Sequence, residues 1–327
     1  MKILGIEASG LVASAALWED GVLKAEYTVN NKLTHSQTLL PMIGEMLRIS
    51  GEALESVDAV AASAGPGSFT GLRIGAATAK GLALAMNIPI ISLSSLRALA
   101  ENEADAAGML VVPIMDARRG QVYCGAWRDG MEVLPERACA IEELLEALAT
   151  VMGPDEAVME TGEEKTGTDR EAAKTEVAAG KTEIAASGAG TGIVLFLGDG
   201  VPVHRELIGQ QARFPYRFAA ANNQRQRAAS VAQLGAAVYA NWLAAQGLTA
   251  EEVRSQGADQ IAQAGLFCGQ VMNSDEFVPV YLRKPQAERE KDAGLLEDPG
   301  ERSLKKLRRG LKAQRGAFGG GDGGSPA

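Results

Sequence analysis

The run Gly65-Pro66-Gly67-Ser68-Phe69-Thr70-Gly71-Leu72-Arg73-Ile74-Gly75 lies between a predicted strand and a predicted helix, a place where a protein can build a phosphate site. Pro66 fixes its own φ and Gly67 is free to take a positive one, so the chain turns tightly. Ser68 or Thr70 is placed to cap the helix by accepting an orphan N–H. Gly65, Gly67, Ser68 and Thr70 therefore form a candidate phosphate or nucleotide loop at a helix N-terminus. The run is neither a Walker A loop, because no Gly-Lys-Ser/Thr follows at the required spacing, nor the GxGxxG dinucleotide fingerprint. From the residues alone, a purely structural turn and a phosphate cradle both stay open.

The remaining chemistry-bearing residues are sparse. Glu7 ends a predicted strand, either as an acid placed near phosphates or as a surface or capping group. His35 opens a helix and His204 reads as a surface residue; two histidines in the whole chain exclude a local His-rich metal cluster. Three cysteines with no CxxC pair suggest neither a zinc site nor a disulfide framework. Cys124, in a strand, reads as a small buried hydrophobe. Asp116, Arg118 and Arg119 read as a turn with exposed ion pairs, each of little energetic consequence. Asp199, between two glycines, suits a strand-to-helix turn or an approach to a nucleotide. No catalytic residue, metal or cofactor is expected.

The elements that must position these residues are legible in the chain of 327 residues. It is 46% hydrophobic and 22% charged, enough apolar material for packed cores and roughly two domains. A net charge of −9 argues against stand-alone nucleic-acid binding. Glu7 interrupts the N-terminal apolar residues too early for a signal peptide, and no apolar run reaches about 18 residues, so the expectation is a cytoplasmic protein with no membrane contact. Strands are predicted at 2–7, 12–18, 22–28, 57–62 and 88–91, with helices at 35–49, 71–86 and 94–100. The Asp20-Gly21 pair marks a hairpin. A second set begins near Met109, with strands at 110–115, 121–127 and 193–197 and helices at 141–148, 203–211 and 228–243. The β-β-β-α-β-α order, loosely repeated, predicts an α/β, actin-like (ASKHA) two-lobed fold, each lobe a mixed sheet with packed helices.

The predicted boundaries are 1–105 for the first, partner-binding lobe and 106–285 for the second with its return helices. The second is interrupted by an acidic low-complexity insertion at 153–190 with nine acids and four bases from Pro154 onward. The tail 286–327 is basic and then Gly-rich. Leu304, Leu307 and Leu311 among its cations suit an amphipathic helix on an acidic surface or a solvated tail. In the helix after the glycine run, Gly71, Gly75, Ala79 and Ala83 recur every four residues. This stripe of small side chains suits close packing inside the lobe or an inter-subunit contact with Leu39, Leu40, Ile43 and Leu47 nearby.

Several stretches together resemble the TsaB (YeaZ) family, whose members take part in making threonylcarbamoyladenosine in tRNA. They are Ile3 to Ser9, His35-Ser36-Gln37-Thr38-Leu39-Leu40-Pro41, the whole GPGSFTGLRIG run, Asp116 to Tyr123, and Pro279-Val280-Tyr281-Leu282-Arg283 with Ala287-Glu288. The likeness covers about residues 1–130 and 193–288. It implies a non-catalytic subunit that forms a heterodimer with TsaD, works with the ATPase TsaE, meets tRNA through the complex, and in many bacteria self-associates. The partner-binding set it implies is His35, Leu39, Leu40, Ile43, Leu47, Gly71, Gly75, Ala79 and Ala83. The related catalyst TsaD holds a metal with a histidine pair; the corresponding stretch here, Ile91 to Ala100, has no histidine, and Ala228 to Val231 lacks the catalyst's aspartate. The alternatives are an actin-like ATPase or kinase and, further off, a metallopeptidase.

Overall fold

Strand β1 (Lys2–Glu7) buries Ile3 and Gly5 on one face and Leu4 and Ile6 on the other. A strand apolar on both sides belongs at the centre of a sheet that helices cover from both faces. It lies there in the computed structural model, which describes residues 1–31, 34–153, 192–266 and 268–283. β1 pairs antiparallel with β2 (Ala13–Glu19), and β2 with β3 (Val22–Val29). On its other side β1 pairs parallel with β4 (Ala59–Gly65), and β4 with β5 (Ile90–Ser94). Asp20 and Gly21 take φ of 47° and 86°, as the two-residue hairpin requires.

The second sheet repeats the arrangement. β6 (Leu110–Arg118), β7 (Gln121–Arg128) and β8 (Met131–Ala140) form an antiparallel meander. β9 (Val194–Leu197) lies parallel to β6, and β10 (Tyr216–Phe218) parallel to β9. The orders β3-β2-β1-β4-β5 and β8-β7-β6-β9-β10 are one topology used twice. The expected two-lobed actin-like α/β fold is the observed one.

Four apolar layers hold the two sheets. Helices α1 (His35–Ser50) and α2 (Phe69–Met86) set Leu39, Ile43, Met46, Ala79 and Ala83 against Leu4, Ile6, Val60 and Ala62 of the first sheet. Helices α4 (Ile141–Met152) and α5 (Val201–Gln211) set Leu144, Leu148 and Ile208 against Val112, Ile114 and Phe196 of the second. The opposite faces are covered by exchange. Helix α3 (Ser95–Ala100), which follows β5, lays Leu96 and Leu99 on Val111, Trp127 and Leu195 of the second sheet. Helix α6 (Ala228–Gln246), which follows β10, lays Val231, Ala232 and Tyr239 on Ile3, Ala16, Ala61 and Ile91 of the first. Close approach makes this possible: a Cβ on Gly5 would stand 2.4 Å from the Ala228 carbonyl oxygen, and one on Gly235 2.4 Å from the Ala61 Cβ.

Helices α6, α7 (Ala250–Gln256) and α8 (Ala258–Gln263) and strand β11 (Val271–Met272) return to the first sheet, β11 by pairing with β5. These elements pack there because the apolar face of α6 matches the bare face of the first sheet. Met1–Leu282 forms one compact unit. The predicted insertion, Gly153 apart, and the tail lie outside the described residues.

Candidate functional site

The glycine run joins β4 to α2, and its geometry is that of a latch between two other segments. Ser68 is the N-cap of α2, its Oγ accepting the Gly71 N–H at 3.3 Å, while Thr70 sits exposed in the first turn. The Ser68 N–H donates to the Ser9 carbonyl at 2.7 Å. Gly67 and Gly71 press on the same β1–β2 turn: a Cβ would stand 2.3 Å from the Ser9 carbonyl oxygen at Gly67 and 2.1 Å from that of Ala8 at Gly71. From the other side, the Val280 N–H donates to the Ala64 carbonyl at 2.7 Å. A phosphate cradle needs free N–H groups converging on the anion. Here the Ser68 amide is already bound and two carbonyl oxygens face the turn, so the geometry favours the structural reading of Gly65, Gly67, Ser68 and Thr70.

Beneath this turn Glu7 is buried, which corrects the reading of it as a surface group. Its Oε1 accepts the Ser9 N–H at 2.6 Å, and its Oε2 accepts from the Ser63 hydroxyl. Burial pushes the Glu7 carboxyl above the usual carboxylate range, against the pull of Ser63, Ser9 and nearby His35. A raised native pKa means that the folded state holds the proton more tightly than the unfolded chain. That stabilisation is present below the unfolded pKa and fades as pH rises through the folded one. Glu7→Gln keeps an acceptor for Ser9 and cannot ionise. Its melting temperature should exceed that of the wild type at pH 8, with the difference shrinking toward pH 4; an unchanged or lower value at pH 8 in thermal melts would refute this account. His35 donates from Nε2 to the Gly10 carbonyl at 3.1 Å, tying the start of α1 to the same turn. Buried Gln226 lies against Gly10 from the α6 side.

The partner-binding set divides when its burial is known. Leu39, Ile43, Leu47, Gly71, Gly75, Ala79 and Ala83 are all buried, and these leucine, isoleucine and alanine side chains belong to the core layer beneath α1 and α2. The small-residue stripe thus answers the first of its two readings: it seats α2 on its own lobe, and these seven residues present no surface to a partner. His35 is half-buried and Leu40 is 56% exposed. Leu40 and Ile49, on opposite flanks of α1, and Leu84 of α2 are exposed, the last two at 60% and 63%. Ala77 of α2 is exposed too, and at Gly44 and Gly81 the place of a Cβ has nothing within 4 Å. This second small-residue surface was missed in the sequence; Ala77, Gly81 and Leu84 recur at helical spacing on the side of α2 opposite the first stripe.

Other expected positions fall as follows. Arg118 pairs with Asp116 at 3.3 Å in an exposed turn. Asp199 accepts from the Asp116 N–H at 3.2 Å, and burial raises its pKa. His204 is buried on the inner face of α5 with Val201 and Ile208, which corrects the surface reading. Among the described residues no group of three His, Cys, Asp or Glu can hold a metal ion, and no helix is long and apolar enough to cross a membrane.

A family model described as TsaD, tRNA N6-adenosine threonylcarbamoyltransferase, matches residues 28–291. The relatives named "tRNA threonylcarbamoyladenosine biosynthesis protein TsaB" include that of Haemophilus influenzae, 35% identical over 164 residues, covering 45% of this chain and 68% of the relative. The chain belongs to this family, on its TsaB branch. The TsaB of Escherichia coli is 40% identical over 38% of this chain and that of Bacillus subtilis 38% identical over 45%. These matches span 53% and 66% of the two relatives' lengths. The solved structure titled "YeaZ from Pseudomonas aeruginosa" has a TM-score of 0.52 at 23% identity and covers 86% of this chain and 99% of its own, a likeness of fold.

Proposed function

We propose that this chain is the non-catalytic subunit of a cytoplasmic tRNA threonylcarbamoyltransferase. It binds a TsaD-type catalyst and, with TsaE, supports transfer of the threonylcarbamoyl group from its adenylate to the adenosine next to the anticodon in tRNAs that read codons starting with A. The observation that carries the reading is the outward face of α1 and α2. Gly44, Ala77 and Gly81 are uncovered on these two helices, and Leu40, Ile49 and Leu84 are large, apolar and exposed on them. A helix pair with low relief and apolar margins lets facing helices come close, and burying such margins supplies the association energy. The stretch that the resemblance sets against the catalyst's histidines supports the non-catalytic part. Its Leu96, Ala98, Leu99 and Ala100 are buried in apolar layers and offer no side-chain ligand to an ion. The bound Ser68 amide weighs against the ATPase reading.

Ala77→Arg tests the surface. The residue is exposed, so the melting temperature should stay within about 2 °C of wild type, since surface substitutions seldom change stability by more than about 0.5 kcal/mol. Binding to the TsaD-type partner, read by co-elution in size exclusion and by calorimetry, should weaken at least about tenfold, because an arginine would have to be buried unpaired. Threonylcarbamoyladenosine in tRNA should fall in cells that carry only the variant. Wild-type affinity in the variant would refute this use of the face.

A further inference from the structure

Cys124 on β7 and Cys139 on β8 are both buried free thiols, and their sulfur atoms stand 3.4 Å apart. In the ladder Cys124 lies opposite Arg137 and Cys139 opposite Val122, so the thiols meet on a diagonal, beside the irregularity that follows Cys124. They share the core layer beneath α4 with Ile141, Leu144 and Leu148. Neither thiol has any part in the α1–α2 surface. A lone buried cysteine is a small hydrophobe, but two that touch are a dithiol.

We propose that Cys124 and Cys139 are a redox-modification site, which a peroxide closes reversibly into a cross-strand disulfide. The Cys139 thiolate attacks one peroxide oxygen and the O–O bond breaks; one water leaves and Cys139 becomes a sulfenic acid. The Cys124 sulfur then attacks the Cys139 sulfur, expelling a second water. The pair loses two electrons and two protons, and hydrogen peroxide becomes two waters. Bond formation needs the sulfurs at about 2.05 Å, so they must close by about 1.4 Å. Position favours Cys139 as the attacking sulfur. The hydrogen bond the two thiols share lowers the Cys139 pKa and raises that of Cys124. Cys139 also lies on β8, the edge strand of its sheet, where local opening admits a small oxidant.

The test uses the full chain carrying Cys268→Ser, which removes the exposed third thiol. The reduced protein is treated with equimolar hydrogen peroxide, denatured and titrated for thiols. The expected result is loss of both thiols, a mass lower by about 2 Da for two hydrogens, a linked peptide joining Cys124 to Cys139, and recovery with dithiothreitol. With Cys139→Ala added, Cys124 should remain reduced under the same treatment. Two persisting thiols, a sulfinic acid on Cys139 without a linked peptide, or disulfides only between chains would each overturn the proposal.

Discussion

Gly71→Val is expected to destabilise the fold by about 3 kcal/mol, the upper part of the range for forcing atoms into a filled space. The position has no room: a Cβ would stand 2.1 Å from the Ala8 carbonyl oxygen and 3.3 Å from the His35 ring. The near contact is backbone, held in place by the buried Glu7 and Ser9 at the end of β1, so it cannot rotate away as a side-chain tip would. Relief requires α2 to lift from the first sheet, which also loosens the Ser68 bond to Ser9. Urea unfolding of the isolated protein measures the loss. A change under about 0.5 kcal/mol would mean that helix and turn are not in this contact. The result separates two explanations of impaired partner binding. Gly71 and Ala79 lie inside, so enlarging them acts on folding, whereas Ala77→Arg acts on the surface.

Phe277→Ala should cost about 3–5 kcal/mol, the usual range for truncating a buried aromatic. Phe277 is 1% exposed and joins the core layer under α1 and α2. It anchors the segment from 277 to 282, which crosses the glycine turn. Beyond it, Val280 bonds Ala64, and the Tyr281 ring lies 5.0 Å from Phe69, over which the Arg73 guanidinium sits at 3.9 Å. Val280, Tyr281 and Leu282 are otherwise well exposed, so these polar and ring contacts alone cannot hold the segment once the anchor is gone. Limited proteolysis should cut the variant between residues 277 and 283 before the rest unfolds. Wild-type resistance and stability together would show that Phe277 does not secure the crossing.

The elements of the first lobe were legible because each carries a local signal. β1 to β3 are apolar runs punctuated by Asp20-Gly21, α1 has Leu39, Ile43, Met46 and Leu47 at helical spacing, and Ser68 precedes α2 as a cap. Strand β8 was missed although Asp129-Gly130, with φ of 50° and 79°, is the same hairpin signal as Asp20-Gly21. Its residues Glu132, Glu136 and Arg137 disguise it as a polar loop. Strands β10 and β11 have three and two residues and are defined by the neighbours that they pair with, so no local pattern could reveal them.

By itself the sequence determined the order of the first lobe's elements, the tight turn at Gly65–Ser68 and the family, since each rests on residue types within a short stretch. Only the tertiary structure decided which small-residue face of α2 lies inward. Gly71, Gly75, Ala79 and Ala83 on one side and Ala77 and Gly81 on the other are equally free of side-chain bulk. Periodicity reports that a stripe exists, while its neighbour is set by which sheet face is left bare. The same reason sends α3 and α6 across to each other's sheets and brings Cys124 to Cys139. Apolar burial has no direction along the chain, so partners distant in sequence are chosen by fit in three dimensions.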